Sequence, residues 1–235
     1  MAREAPVSES TRTRGFGDRE AFLRRAAARL RDGAPNNPAR PLEADPSPPP
    51  IRYASTDASP DDQFRQALEV LSGTVAETTD VRADALERCQ RRGVRRAAVS
   101  RDPEVAGVAD DLRAAGIEVV DLADKLAVAG CDIGITGAAY AIANLGSLVV
   151  DSGRAGGRTA SLLPPHHLAY VRRANLLPDV GHLFRHLDER LPDGLPSNLV
   201  LITGPSKSAD IELRLTIGMH GPRALEVVFV DEPTG

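Results

Sequence analysis

An α/β fold with a mainly parallel sheet flanked by helices, preceded by an N-terminal helical arm, is what this sequence predicts. Two observations carry the prediction. From about Asp61 onward, short apolar strands alternate with amphipathic helices at the close spacing of right-handed βαβ units. The core supply is also aliphatic. Hydrophobic residues make up 42% of the chain but aromatics only 3%, and Trp is absent. Ala, Val, Leu and Ile must therefore fill the interior, which suits a buried parallel sheet covered by Ala-rich helices. At 235 residues there is room for one large domain plus an arm. The expected division is 1–59 for a helix and Pro-rich arm and 60–235 for the α/β domain.

The elements follow in order. Residues 1–17 are polar. Residues 18–31 place Phe22, Leu23, Ala26 and Leu30 on one helical stripe, with arginines on the other faces. Residues 33–50 hold seven prolines, a density that excludes helix and central strand and leaves an extended tether. The first helix is then free to pack on its own domain or on a neighbouring chain. Residues 61–71 read as a helix and 73–79 as a strand. Asp80 is placed to cap a helix whose face is Val81, Ala85, Leu86 and Cys89. Residues 96–100 form the next strand. Asp102-Pro103 reads as an N-cap and first turn, with Val105, Val108, Ala109 and Leu112 on one face and Gly116 as the stop. A strand at 117–120 and a short helix to about Val128 follow. Strands are expected at 131–136, 147–151, 168–171, 198–203 and 225–230, and helices at 138–145 and 179–190.

Several function classes fall away on composition. The formal net charge is −4, so no global attraction to nucleic acid or anionic lipid is expected. The scarcity of aromatics argues against base stacking. Arg91, Arg92, Arg95 and Arg96 read as a solvated helix end. Cys89 and Cys131 match no metal-ligand spacing and lie in apolar runs, so they read as core thiols. Two cysteines cannot supply the four thiolates of an ordinary iron–sulfur cluster. No secretory h-region and no apolar run of membrane-spanning length is visible, so membrane insertion is not expected and a cytoplasmic location follows by elimination.

Ligands of open α/β sheets collect at the carboxyl ends of parallel strands. Three expected strand ends carry small polar residues. Thr136-Gly137 is the first. Asp151-Ser152-Gly153, with Arg154, Gly156, Gly157, Arg158 and Ser161 beyond it, is the second. The third is Thr203-Gly204-Pro205-Ser206-Lys207-Ser208-Ala209-Asp210, expected to turn from a strand into a helix. There Gly204, Ser206, Lys207, Ser208 and Asp210 would offer backbone N–H groups, hydroxyls and an ammonium to an anion. The Walker A spacing is missing. The competing reading is a capped helix start with a solvated lysine. Arg158 has the fork to clamp a carboxylate or phosphate, against the reading of a solvated glycine-rich loop. His166 and His167 either titrate near neutrality or hydrogen-bond locally at a turn. His220 stands on a Gly-Pro turn and is expected to face the same cleft as the lysine loop. Asp210 and Glu212 are not spaced as a carboxylate pair, and no metal site is expected.

Three blocks carry a family resemblance: ITGAAYAIANLGSLVVDSG, then GRTASLLPPHHLAYV, then ITGPSKSADIELRLTIGMHGP. In wording, order and spacing they resemble the lactate-utilisation C protein (LUD-domain) family over roughly 60–230. The resemblance implies a fold similar to the ribose-5-phosphate isomerase and CoA-transferase-like domains. It also implies a part in oxidising L-lactate to pyruvate, beside partner proteins that carry iron–sulfur centres. One departure stands out. Where the family has Ala-Glu-x-Gly-Thr, this chain has Ala143-Asn144-Leu145-Gly146-Ser147, and Asn144 cannot ionise. The expected role is an accessory component that binds a small anionic ligand, with Asn144, Arg158 and His220 lining the approach. A stand-alone enzyme on a sugar phosphate or CoA thioester and a non-catalytic assembly module are the alternatives. A homo-oligomer stays open, as does the cofactor.

Overall fold

The computed structural model describes residues 58–189, 198–209, 215–217 and 221–231, together with Arg24; at 207–209 and 215–217 it describes the backbone. The arm expected over 1–59 lies outside these residues apart from Arg24, Ala58 and Ser59, as do Asp210, Glu212 and His220.

The first described helix, α1 (Pro60–Val70), has Pro at its start and Ser59 as N-cap, whose hydroxyl accepts the Asp62 N–H. β1 (Thr74–Thr78) follows, then α2 (Val81–Arg91), capped by the Asp80 carboxylate at Arg82 and Ala83. β2 (Arg96–Val99) leads to a single 3-10 turn (Pro103–Val105) and then α3 (Val108–Ala114). The sequence predicts one helix here. The break comes at Gly107, whose φ of +80° is a left-handed conformation that an uninterrupted helix cannot contain. β3 (Glu118–Val119), α4 (Lys125–Ala129) and β4 (Ile133–Gly137) complete the first half.

The expected helix at 138–145 is instead β5 (Tyr140–Ile142) and a 3-10 turn (Ala143–Leu145). β5 pairs antiparallel with β6 (Ser147–Asp151) and parallel with β8 (Leu176–Leu177). A loop expected at Ser152 is the short helix α5 (Ser152–Ala155), capped by Asp151, followed by α6 (Thr159–Leu162). β7 (His166–Arg172), α7 (Val180–Glu189) and β9 (Leu199–Ile202) come next. Where a helix is expected to follow Ser206, the described residues are strands: β10 (Lys207–Ala209) pairs antiparallel with β11 (Leu215–Ile217). β12 (Ala224–Val230) ends the fold.

Six strands form one sheet in the order β1-β12-β7-β4-β2-β3, and every pairing in it is parallel. The predicted fold class therefore holds. Its two faces are covered differently. Ala97, Val99, Ile133, Ile135, Leu168 and Tyr170 pack under α2 and α3. On the other face Ala169, Val171, Val227 and Phe229 meet Phe64 and Leu68 of α1 and Ala141, Leu148 and Val150 of a smaller sheet, β8-β5-β6-β9. Beside them Ala98 packs with Val128 of α4 and Ala160 of α6. Gly134 of β4 lets α6 come this close: a Cβ there would sit 1.8 Å from the Ala160 carbonyl oxygen. The far face of the smaller sheet, Ile142 and Val149, is covered by Leu183 of α7. Among the described residues no helix is long and apolar enough to cross a membrane.

The order of strands sets where a crevice opens. The chain runs from β2 to β3 on one side, then crosses to β4 on the other. α3 makes the first crossing over one face and α4 the second over the opposite face. The carboxyl ends of β2 and β4 are thus a topological switch point, where loops diverge and leave a depression.

Candidate functional site

The switch point is filled by residues from the ends of both strands. Ser100 and Asp102 leave β2, and Gly137 closes β4. Asp102 does not cap the turn it precedes. Its Oδ2 accepts from Ser100 Oγ at 2.5 Å and from the Gly137 N–H at 3.2 Å. Glycine is needed at 137, because a Cβ would lie 2.5 Å from the Asp102 Cβ. Asp102 is 3% exposed and forms no ion pair among the described residues, the Arg154 charge acting on it only from a distance. Burial pushes its carboxyl above the usual carboxylate range; the Ser100 hydrogen bond opposes that and the nearby Glu104 charge adds to it. Glu104, partly buried, is matched by Arg154, whose Nη2 lies 2.8 and 3.0 Å from its two oxygens. Arg154 is placed by α5, whose N-cap Asp151 holds the N–H groups of Gly153 and Arg154. The Ala155 carbonyl then accepts the Arg101 N–H, fastening α5 to the end of β2.

Clefts open around this edge. One of about 240 Å³ lies beyond β1, β7 and β12, with Thr79, Glu104, Arg172 and Asp231 on its wall. A second of about 460 Å³ lies beyond β2 and β3 and includes Ser100, Arg101 and Asp121. A third of about 410 Å³ is bounded by α4, the Gly156-Gly157 loop and α6, with Lys125 and Arg158 as its charged lining and Leu162 and Leu163 on its apolar wall. No acidic residue lines the third cleft. Lys125, Arg158 and the adjacent Arg101 form no ion pair among the described residues. Arg101 lies along Gly156, where a Cβ would be 2.9 Å from its Cδ.

Of the residues singled out from the sequence, the structure gathers some and separates others. Asn144 sits in the 3-10 turn before β6, its N–H bonded to the Pro178 carbonyl and its Oδ1 buried with no hydrogen-bond partner. Ser147 Oγ lies 2.7 Å from Thr203 Oγ1, which ties that turn to the loop after β9. In that loop Gly204 has a left-handed φ of +83° and lies against Leu71, and the Ser206 N–H bonds to the Pro222 carbonyl. Asn144, Gly204 and Ser206 thus belong to one end of the smaller sheet. Lys207 and Ser208 follow in β10, paired by backbone with Ile217 and Thr216. Asp210 and His220 lie outside the described residues. Arg158 is at the other end: β6 and β9 are antiparallel, with Asp151 opposite Leu199 and Leu148 opposite Ile202, so the loops that follow them leave in opposite directions. Neither β6 nor β9 belongs to the parallel sheet, and of the three expected strand ends only Thr136-Gly137 does.

The histidines resolve on strand β7 rather than at a turn. His167 is fully buried, its Nε2 2.8 Å from Thr136 Oγ1, and burial drives its pKa down to about 3, so it stays neutral. His166 faces Glu226 at 3.6 Å. The arginine cluster at the end of α2 is not simply solvated: Arg92 pairs with Glu226 and Arg96 with Glu118. Cys89 and Cys131 are buried free thiols, both pushed up to about 11 by burial. Asp102, Glu104, Arg101 and Lys125 were not among the sequence-derived candidates, whereas Arg154 was, in the segment after Asp151.

A Lactate utilization protein C from Halalkalibacterium halodurans is 42% identical over 89 residues, 37% of this chain and 39% of that protein. One from Geobacillus sp. (strain WCH70) is 38% identical over 89 residues, 37% of each chain. The match thus spans under two-fifths of the length of these curated relatives. The crystal structure of a DUF162 family protein from Deinococcus radiodurans superposes with a TM-score of 0.55, covering 74% of this chain and 99% of that one, at 22% identity, which shows the fold alone. The LUD domain pattern matches residues 62–230, well over half of the chain, and the protein belongs to the LUD domain family.

Proposed function

We propose that this chain is an accessory component of a cytoplasmic lactate-utilisation system, one that binds a small anionic ligand while partner proteins carry the iron–sulfur centres of L-lactate oxidation. The naming of the relatives as Lactate utilization protein C supports the system. The single observation that supports ligand binding is the third cleft, where Lys125 and Arg158 line a cavity that holds no acid. Unmatched cations on a concave surface at the carboxyl edge favour a carboxylate or phosphate there. The thiols support the division of labour. Cys89 is buried among α2, α3 and the sheet, and Cys131 on the opposite face with α4 and α6. Two protonated thiols on opposite faces do not make a cluster site. The Gly204–Ser208 loop with Asn144, Asp210 and His220 is the alternative site for such an anion, in place of the cleft at Arg158.

Calorimetric titration with L-lactate and pyruvate tests the reading. We expect saturable binding that weakens about tenfold or more in Arg158→Ala, as loss of a charge-assisted hydrogen bond would produce. Binding of neither acid, or binding indifferent to Arg158, would remove the cleft from the function.

A further inference from the structure

We infer that the third cleft takes a phosphate ester with an apolar body, rather than a bare three-carbon acid. The inference rests on the proposed ligand role of that cleft and adds the class of ligand. Three features of the cleft point to it.

The first is charge. Lys125 and Arg158 line the cavity, and Arg101 lies against its Gly156 wall. None of the three forms an ion pair among the described residues. The aspartates at the start of α4 engage local backbone: Asp124 Oδ1 accepts from Leu126 and Ala127, and Asp121 Oδ1 from Ala123. A monoanion would leave most of this positive charge unmatched, whereas a phosphate monoester carries up to two charges near neutrality and three acceptor oxygens for the guanidinium forks.

The second is the apolar wall. Six large hydrophobic residues are exposed among the described residues, and two of them line this cleft, with a third next in sequence to its Lys125. Leu162 and Leu163 line the cleft at 36% and 41% exposure, and Leu126, next to Lys125, is 87% exposed. Lactate has no surface to cover them. A ligand with an apolar body does, and exposed apolar groups rimmed by charge mark binding surfaces.

The third is size and access. About 410 Å³ lies in the range of cavities that enclose ligands much larger than lactate. Gly156 and Gly157 form the wall between Arg101 and Arg158, with φ of +75° and +127°. At Gly157 a Cβ would meet nothing within 4 Å, so a ligand can approach the backbone there beside Arg158.

Titration of the full chain at fixed ionic strength with inorganic phosphate, L-lactate and phenyl phosphate tests the inference. Phenyl phosphate should bind about tenfold or more tighter than either other probe, the increment expected for covering roughly 50 Å² of apolar surface. Arg158→Ala combined with Lys125→Ala should weaken it by more than tenfold. Leu163→Ser should bring it to the level of inorganic phosphate, with an unchanged melting temperature showing that the fold survives. Phenyl phosphate binding no tighter than inorganic phosphate would overturn the inference. Lactate bound through Arg158 with no preference for phenyl phosphate would keep the proposed function and overturn this ligand class. Phenyl phosphate bound with no response to lactate would do the reverse. Adsorption to anionic phospholipid vesicles that needs Leu126 and Leu163, without phenyl phosphate binding, would overturn the inference in favour of a lipid surface.

Discussion

Glu226 and Asp102 are both carboxyl groups sunk at the edges of one sheet, 8% and 3% exposed, yet their surroundings treat their charge in opposite ways. Glu226 stands near the amino edge. Burial works against its charge, but His166, Arg88 and Arg92 outweigh it and hold the carboxyl below its ordinary range. Asp102 stands at the carboxyl edge, where burial prevails over the Ser100 hydroxyl, the Gly137 N–H and the more distant charge of Arg154. The contrast extends to the neighbours. Around Glu226 the cations have acids. Beyond β2 and β3, Arg101, Lys125 and Arg158 have none among the described residues, a few residues from an acid whose burial outweighs the charge of Arg154. Charge left unmatched in this way is expected of a site more than of a scaffold, because a scaffold gains nothing from it. The imbalance is local: beyond β1 and β12, at the same edge, Arg173 pairs with Asp231 and Glu77.

The largest expected effect tests the scaffold end. Glu226→Gln strands Arg88 and Arg92 against a buried neutral amide, and breaking a buried pair this way should lower stability by about 3 kcal/mol, roughly 10 °C in melting temperature. The pH dependence should change with it. The Glu226 carboxyl is depressed on folding, so its contribution is present above its unfolded value of 4.5 and is lost as pH falls through the lower folded value. Thermal melts from pH 3 to 8 should show a shallower acid-side decline in the variant. An unchanged melt would mean that the amino edge is no better matched than the other.

Arg154→Ala should have a smaller effect, about 2 kcal/mol, because Glu104 loses two charge-assisted contacts but lines an open cleft and can regain water. The same variant unfastens α5 and so the loop that carries Arg158. If Glu104 and Arg154 act only as a fastener, anion affinity should fall together with stability. Affinity that survives a full loss of stability would separate the latch from the cleft.

The sheet was legible in the sequence because its strands are short apolar runs between capped helices, and the caps at Asp80 and the turn at Gly116 act locally. The smaller sheet was not. Ala141 and Ile142 of β5 are both buried, so the strand shows no alternation, and an alanine-rich apolar run of that length reads equally well as helix. The site failed to show for a related reason. Asp102 before Pro103 looks like an N-cap, a complete local explanation that hides the long-range one. Its real partner, Gly137, is 35 residues away and meets it only because β4 crosses to the far side of β2. Arg158 was visible as a guanidinium on a glycine loop. Lys125 was not, since nothing in the sequence sets α4 beside that loop. The same limit misgrouped Arg158 with Gly204 and Ser206: which end of a strand a loop leaves from depends on strand direction, and β6 and β9 run oppositely.

The smallest effect tests the other end of the comparison, through Asp102→Asn. Asparagine keeps an oxygen to accept from Ser100 and Gly137 but cannot ionise. The folded state holds the Asp102 proton more tightly than the unfolded chain, so the wild-type carboxyl contributes fully below its unfolded value of 3.8 and loses that contribution as pH rises through the folded value. Wild type and variant should therefore melt together near pH 3.5 and diverge above it, with the variant ahead by about 2 °C at pH 7. That is the reverse of the sign expected at Glu226. A variant that is less stable than wild type at pH 7 would mean that the Arg154 charge and the two hydrogen bonds outweigh burial at the Asp102 carboxylate, and the two ends of the sheet would no longer differ in kind.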